Sequence, residues 1–166
     1  MASRRRGGVL FGREPIQSGL LVPTAVLERL GGFADELFID GVDSELYLHA
    51  RAEGFTVVVA PGTRLGHRLG KAHALAGTGA DGSARGPQLV HAAPFRYYYI
   101  ARNRITLVRR YVRSAPGWCV RAVAKDVRHQ LIAGVLIPGR RERWAQTALG
   151  LRDGLRGVTG PRPARP

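Results

Sequence analysis

Asp40, Asp43 and Glu45 place three carboxylates within six positions, after a Gly31-Gly32 stop and at the start of a segment with helical character. Charges this dense repel one another. A fold can accept them only if they stay in water or meet a metal, a cationic partner or a hydroxyl-bearing substrate. If Val42 begins a helix, the three cannot all point one way, because only neighbours three or four apart share a face. Asp43 then lies at the helix N-terminus, where the macrodipole favours its ionised form and its use as a base. A helix cap explains one aspartate at such a place and leaves the other two carboxylates unexplained.

Around this cluster the chain reads as alternating short elements. Gly8 to Phe11, Ile16 to Val22 and Phe55 to Ala60 are expected as strands, the last one buried. Pro23-Thr24 opens a helix to Leu30, and a second helix runs from Val42 to Glu53, closed by Gly54. Residues 71 to 92, rich in Gly, Ala and Ser at their centre, are expected as a flexible loop dividing residues 1 to 70 from a basic helical region, 93 to 157. In that region Ile105, Val108 and Val112 share a face. After Pro116, Val120, Val123, Val127, Leu131 and Val135 recur at spacings of three and four, interrupted by Arg121, Lys125 and Arg128. A last helix spans about Arg141 to Arg156, and residues 158 to 166 are expected as a disordered tail.

Charge is divided unevenly between these regions. Residues 1 to 90 hold 10 Lys or Arg against 9 Asp or Glu, whereas residues 91 to 166 hold 16 against 3. Nearly all of these cations are arginine, whose planar fork pairs bidentately with phosphate. Such a balance suits an anionic membrane surface, a nucleic acid or plain solvated helix faces. The run Phe95-Arg96-Tyr97-Tyr98-Tyr99 would supply stacking aromatics to a nucleic acid, although no nucleic-acid motif accompanies it. Cys119 is the one cysteine, which excludes an intrachain disulfide and a Cys-rich metal framework and suggests an intracellular setting. The longest uncharged apolar run near the C-terminus, Leu131 to Pro138, is too short to span a bilayer. A glycosidase pair built from Asp40 and Asp43 is disfavoured, since such pairs flank a cleft from separate segments.

The order Ser18-Gly19-x-Leu21, Gly31-Gly32-Phe33-x-Asp35-Glu36-x-Phe38-Ile39-Asp40-x-Val42-Asp43-x-Glu45, Gly54-Phe55, Pro61, His67 and Gly70 resembles the C-terminal half of family 2 glycosyltransferases. It looks most like their rhamnosyltransferase and galactofuranosyltransferase branches. The likeness continues through Arg96-x-Tyr98-Tyr99-x-x-Arg102-Asn103 and Gly150-Leu151-Arg152-Asp153-Gly154-Leu155-Arg156-Gly157.

The resemblance implies an α/β chain: part of a GT-A fold, without its N-terminal nucleotide-binding half, followed by amphipathic helices. No Asp-x-Asp occurs in the chain, and His49 stands where the family usually has an arginine six residues after its base. The implied activity is inverting transfer of a sugar, rhamnose for example, from a nucleoside-diphosphate donor to a lipid-linked or polysaccharide acceptor of the cell envelope. Asp43 would be the general base. His67 would ligate a divalent metal, Mg or Mn. Ser18, Gly19, Asp40, Glu45, Arg96, Arg102 and Asn103 would bind or orient substrate, and the enzyme would sit peripherally at the inner face of the membrane. A basic nucleic-acid-binding or structural protein without catalysis is the alternative.

Overall fold

The computed structural model describes residues 3–6, 9–12, 14–63, 65–66, 71–74 and 88–162. Its elements are β1 (Ser3–Arg6), β2 (Val9–Gly12), α1 (Thr24–Arg29), a 3-10 turn (Asp35–Leu37), α2 (Val42–Ala52), β3 (Lys71–Ala74), β4 (Gln88–His91), α3 (Pro94–Tyr111), α4 (Pro116–Leu136) and α5 (Arg140–Leu155). Helix dominates. The named strands among the described residues pair only as two antiparallel ribbons, β1 with β2 and β3 with β4, so the expected α/β architecture is present as local pairing and not as a layered sheet.

Three expected elements differ. Ile16 to Val22 is no strand: Pro15 and Pro23 bracket it, Gly19 takes φ +77°, and Leu20 N donates to Gln17 O at 3.0 Å, closing a turn. Phe55 to Ala60 runs beside β2 through one bridge, Val58 to Phe11, with Gly12 N to Val57 O at 2.9 Å and Val59 N to Leu10 O at 2.8 Å. Its residues alternate between half-buried and exposed, as expected of an edge with one covered face, so it is not a buried strand. The stretch read as a loop, 71 to 92, is paired at both ends, with Lys71 opposite His91 and Ala74 opposite Gln88. Its middle lies outside the described residues.

The helical boundaries follow their punctuation. Proline occupies the first turn of α3 and of α4, where its missing N–H costs nothing. Gly139, at φ +82°, precedes α5. The core gathers Leu37, Tyr47, Leu48, Leu107, Tyr111, Trp118, Cys119 and Ala122, so α2, α3 and the start of α4 close over the 3-10 turn. Trp118, near the start of the basic helix α4, is buried in this core and not available to a surface.

Glycines set the second contact, between α3 and α5. A Cβ on Gly150 would overlap the Tyr98 carbonyl, and one on Gly154 would lie 2.9 Å from the Arg102 carbonyl oxygen. Two glycines four apart therefore let the helix backbones approach. The contact is tied at both ends: Tyr98 OH donates to Asp153 Oδ2 at 3.0 Å, and Arg109 donates to Gly154 O and Leu155 O at 2.9 and 3.0 Å, satisfying carbonyls at the C-terminus of α5. The late Gly-Leu-Arg-Asp-Gly motif is thus a packing motif.

The tail departs from the expected disorder as far as residue 162. Gly160 N donates to Glu36 O at 2.7 Å, Arg102 Nη1 to Gly160 O at 2.5 Å, and Arg162 N to Tyr99 OH at 2.8 Å. These bonds satisfy backbone groups that would otherwise have to stay in water.

Candidate functional site

The acidic segment is shaped by an unusual backbone. Phe38 and Asp40 take φ +63° and +62°, in the left-handed region, and Gly41 takes φ +91°. Non-glycine residues there cost free energy, on the order of 1–3 kcal/mol each, and persist only when their surroundings hold them. The holding residues come from α3. Asn103 Nδ2 donates to the carbonyls of Leu37, Ile39 and Asp40 at 2.9, 2.8 and 2.6 Å. Arg102 Nη2 donates to Leu37 O at 2.9 Å, and Arg102 Nε to Asn103 Oδ1 at 2.9 Å, which orients the amide. Glycine suits position 41 because of its φ of +91°, and a Cβ there would also stand 3.2 Å from Leu107 Cδ1, which would have to yield slightly.

Asp40 and Asp43 both line a cleft of about 600 Å³ with Gln17, Phe33, Phe38 and Arg96. They differ in electrostatics. Arg96 grips Asp40 with both ends of its fork, Nε to Oδ2 at 3.0 Å and Nη2 to Oδ1 at 2.5 Å. The pair holds the Arg96 guanidinium above its ordinary pKa. No cation pairs with Asp43 among the described residues. Burial pushes the Asp43 carboxyl above the usual aspartate range, opposed by a hydrogen bond from the Gln17 backbone and assisted by the negative charges of Asp40 and Glu14. One carboxylate of the pair is tethered, and the other is in no ion pair among the described residues.

The remaining expected site residues are distributed differently. Glu45 is buried and turned away from the cleft: it accepts from Arg110 Nη1 at 2.9 Å and Tyr111 OH at 2.8 Å. Burial beside that carboxylate drives the Tyr111 hydroxyl pKa strongly upward, so it acts as a fixed donor. Arg110 also binds Glu36 Oε1 at 2.9 Å and holds that carboxyl below its usual range. Glu45 is held here as an internal strut between Arg110 and Tyr111. Arg102 and Asn103 are each 1% exposed and spend their donors on backbone carbonyls, so neither faces a substrate phosphate. Ser18 and Gly19 line a separate, mostly apolar cleft of about 870 Å³ with Leu21, Leu46, Tyr47 and Val58, whose lining does not include Asp43. His67 lies outside the described residues.

Gln17 at the acidic cleft escaped the sequence reading, and Phe33 and Phe38 entered it only as members of the family motif. Gln17 carried one available signal, its place just before the Ser18-Gly19 turn. Tyr97, Tyr98 and Tyr99 are all buried, which removes the stacking surface expected for a nucleic acid and leaves Phe95 as the exposed aromatic of that run. No helix among the described residues is long and apolar enough to cross a membrane.

A cleft with one clamped aspartate beside one unpaired, partly desolvated aspartate at a helix start is suited to taking a proton from a hydroxyl group. The chain is 30% identical over 148 residues to the dTDP-rhamnosyl transferase RfbF of Shigella flexneri. The match takes in 87% of this chain and 46% of that protein, so the chain spans about half the length of the relative. No family model and no solved structure matches the chain.

Proposed function

We propose that this chain forms the acceptor-side half of an inverting glycosyltransferase of the family 2, GT-A type, with Asp43 as its general base. The observation that carries the reading is the contrast between Asp40, bound by Arg96, and Asp43, which lines the same cleft without a cationic partner among the described residues. A base must be within reach of its substrate and must not be neutralised by a neighbour. A carboxyl pKa raised by burial also brings its basicity closer to the working pH.

The step runs as follows. Asp43 takes the proton of an acceptor hydroxyl as its oxygen attacks the anomeric carbon of the donor sugar. The bond from that carbon to the nucleoside diphosphate breaks, and the diphosphate leaves with the bonding electrons. Arg96 fixes Asp40 and with it the loop that carries Asp43, while Asn103 and Arg102 hold the same loop from α3. Orientation of this kind turns a bimolecular encounter into a positioned reaction.

The donor in this reading is dTDP-rhamnose, which the name of the relative supports, and with a lipid-linked or polysaccharide acceptor the enzyme would work peripherally at the inner face of the cell membrane. When bound, Mg or Mn would offset the charge of the leaving diphosphate. The described residues supply no cluster of three metal-ligating side chains for it, and His67, the expected ligand, lies outside them.

A product assay tests the reading. The full-length enzyme, reconstructed by joining this chain to its nucleotide-binding half, is given radiolabelled dTDP-rhamnose with cell-envelope lipid. Label should appear in the lipid or polysaccharide fraction. Label released only as free sugar, at a rate indifferent to acceptor, would contradict it and support a hydrolase.

A further inference from the structure

Helix α4 carries its apolar residues on two opposite faces. Trp118, Cys119, Ala122, Ala133 and the adjoining Ile137 are buried. On the other side Val120, Val123, Val127, Leu131 and Val135 form a row, all exposed, with Val120 at 69% and Val135 at 68%. The row is what the sequence periodicity detects, and it faces away from the core. Helix α5 repeats the arrangement: Trp144, Ala148, Leu151 and Leu155 fall at spacings of four, three and four, and all are exposed.

The two rows join. Gly134 lies three residues beyond Leu131 and seven beyond Val127, in line with the α4 row, and a Cβ there would stand 2.6 Å from Trp144 Nε1. The indole thus lies against Gly134, where α4 meets α5. Exposed arginine and lysine border both rows: Arg121, Lys125 and Arg128 on α4, Arg141 and Arg156 on α5. The acidic residues of these helices are mostly occupied, Asp126 by Arg104 at 2.6 Å and Asp153 by Tyr98 and Arg152, which leaves Glu142 as the exposed counter-charge.

We propose that the α4–α5 hairpin docks on an anionic lipid surface, its valine, leucine and tryptophan rows entering the headgroup boundary and its arginines engaging lipid phosphates. Contiguous exposed apolar rows rimmed by cations are the composition of an interfacial helix. A second copy of the chain fits the surface less well, because a two-fold contact through these rows would bring like-charged rims together. A nucleic acid would find a row of aliphatic side chains where its phosphates need donors. The proposal rests on the glycosyltransferase reading only for where the acceptor lies; the docking surface is read from α4 and α5 alone.

Co-sedimentation of the full chain with vesicles tests it. Binding is expected to vesicles of phosphatidylglycerol mixed into phosphatidylcholine, weak binding to phosphatidylcholine alone, and loss at high salt, because the arginine contribution is screened. Val127→Glu with Leu131→Glu should lower the partition coefficient about tenfold or more, and Arg121→Glu with Arg128→Glu should abolish the preference for the anionic vesicles. All four side chains are exposed, and circular dichroism should show unchanged helix. Equal binding to both vesicle types, no binding, insensitivity to both pairs of substitutions, a self-associating chain dissociated by the Val127/Leu131 pair, or RNA binding that outcompetes the vesicles would each overturn the proposal. None of those results bears on whether Asp43→Asn stops sugar transfer.

Discussion

The side-chain amide of Asn103 donates to the carbonyl oxygen of Asp40 at 2.6 Å from a residue 63 positions away in the chain. The same nitrogen serves Leu37 and Ile39, so one amide on α3 holds the left-handed backbone of the acidic loop.

Replacing Asn103 by Ala leaves three carbonyls of that loop without this donor, of which Leu37 O alone keeps a bond from Arg102. The expected cost is about 2–4 kcal/mol, from buried acceptors left unpaired and the lost packing. Urea unfolding measures it. A loss below about 0.5 kcal/mol, the range of an ordinary surface change, would mean that the loop keeps its shape without the clamp.

Gly150→Ala should be severe, since its Cβ would collide with the backbone carbonyl of Tyr98, which cannot swing aside as a side chain can. We expect a loss of about 3 kcal/mol or more, with α5 displaced from α3. Gly117→Ala meets only the mobile end of Arg121, at 3.3 Å, and should leave stability unchanged or raise it by up to about 1 kcal/mol. Thermal unfolding of the two variants side by side gives the contrast; equal effects would refute the packing account.

Asp43 gives a pH signature. Its carboxyl is held above the ordinary value of 3.8, chiefly by burial. Through the window from 3.8 up to its folded pKa, the folded chain binds more protons than the unfolded one. Its contribution to stability therefore falls as pH rises and remains a penalty at neutral pH. Asp43→Asn removes that penalty. The variant should be more stable than the wild type at neutral pH, with the advantage fading as the pH falls to the ordinary aspartate range. Equal melting temperatures across the whole pH range would show that Asp43 carries no desolvation penalty.

Glu45→Gln distinguishes a strut from a substrate ligand. The buried charge that accepts from Arg110 and Tyr111 is lost, which should cost about 1–3 kcal/mol of stability. In the full-length enzyme, transfer kinetics at a temperature where both forms are folded should stay within about threefold of wild type, because the carboxylate does not line the cleft. A rise in acceptor KM with stability untouched would return Glu45 to the substrate.

The sequence disclosed the helices where proline and glycine punctuate them, and the acidic cluster where charge density made it conspicuous. Arg102 and Asn103 show its limit. Their polarity marked them for a ligand, but their partners are carbonyls some 65 residues upstream, which no local pattern displays. The row from Val120 to Val135 shows a second limit, since periodicity identifies an apolar face without saying whether protein covers it. Ile16 to Val22 is a turn and not the expected strand because the backbone at Gly19 and the prolines that bracket the segment overrode its apolar content, whereas Gly8 to Phe11 is largely β2. The difference between Asp40 and Asp43 could not be read locally either, because it depends on Arg96, 56 residues beyond Asp40.

That difference is what the account most depends on, and the full-length enzyme tests it most directly through the rate of radiolabelled sugar transfer from donor to acceptor. Asp43→Asn keeps the size of the side chain and removes its basicity. Its kcat should fall by about 10²–10⁴ while donor KM stays nearly unchanged, the loss expected when a general base is removed and binding is spared. A variant that turns over within a few-fold of the wild type would contradict the assignment of Asp43 as the base.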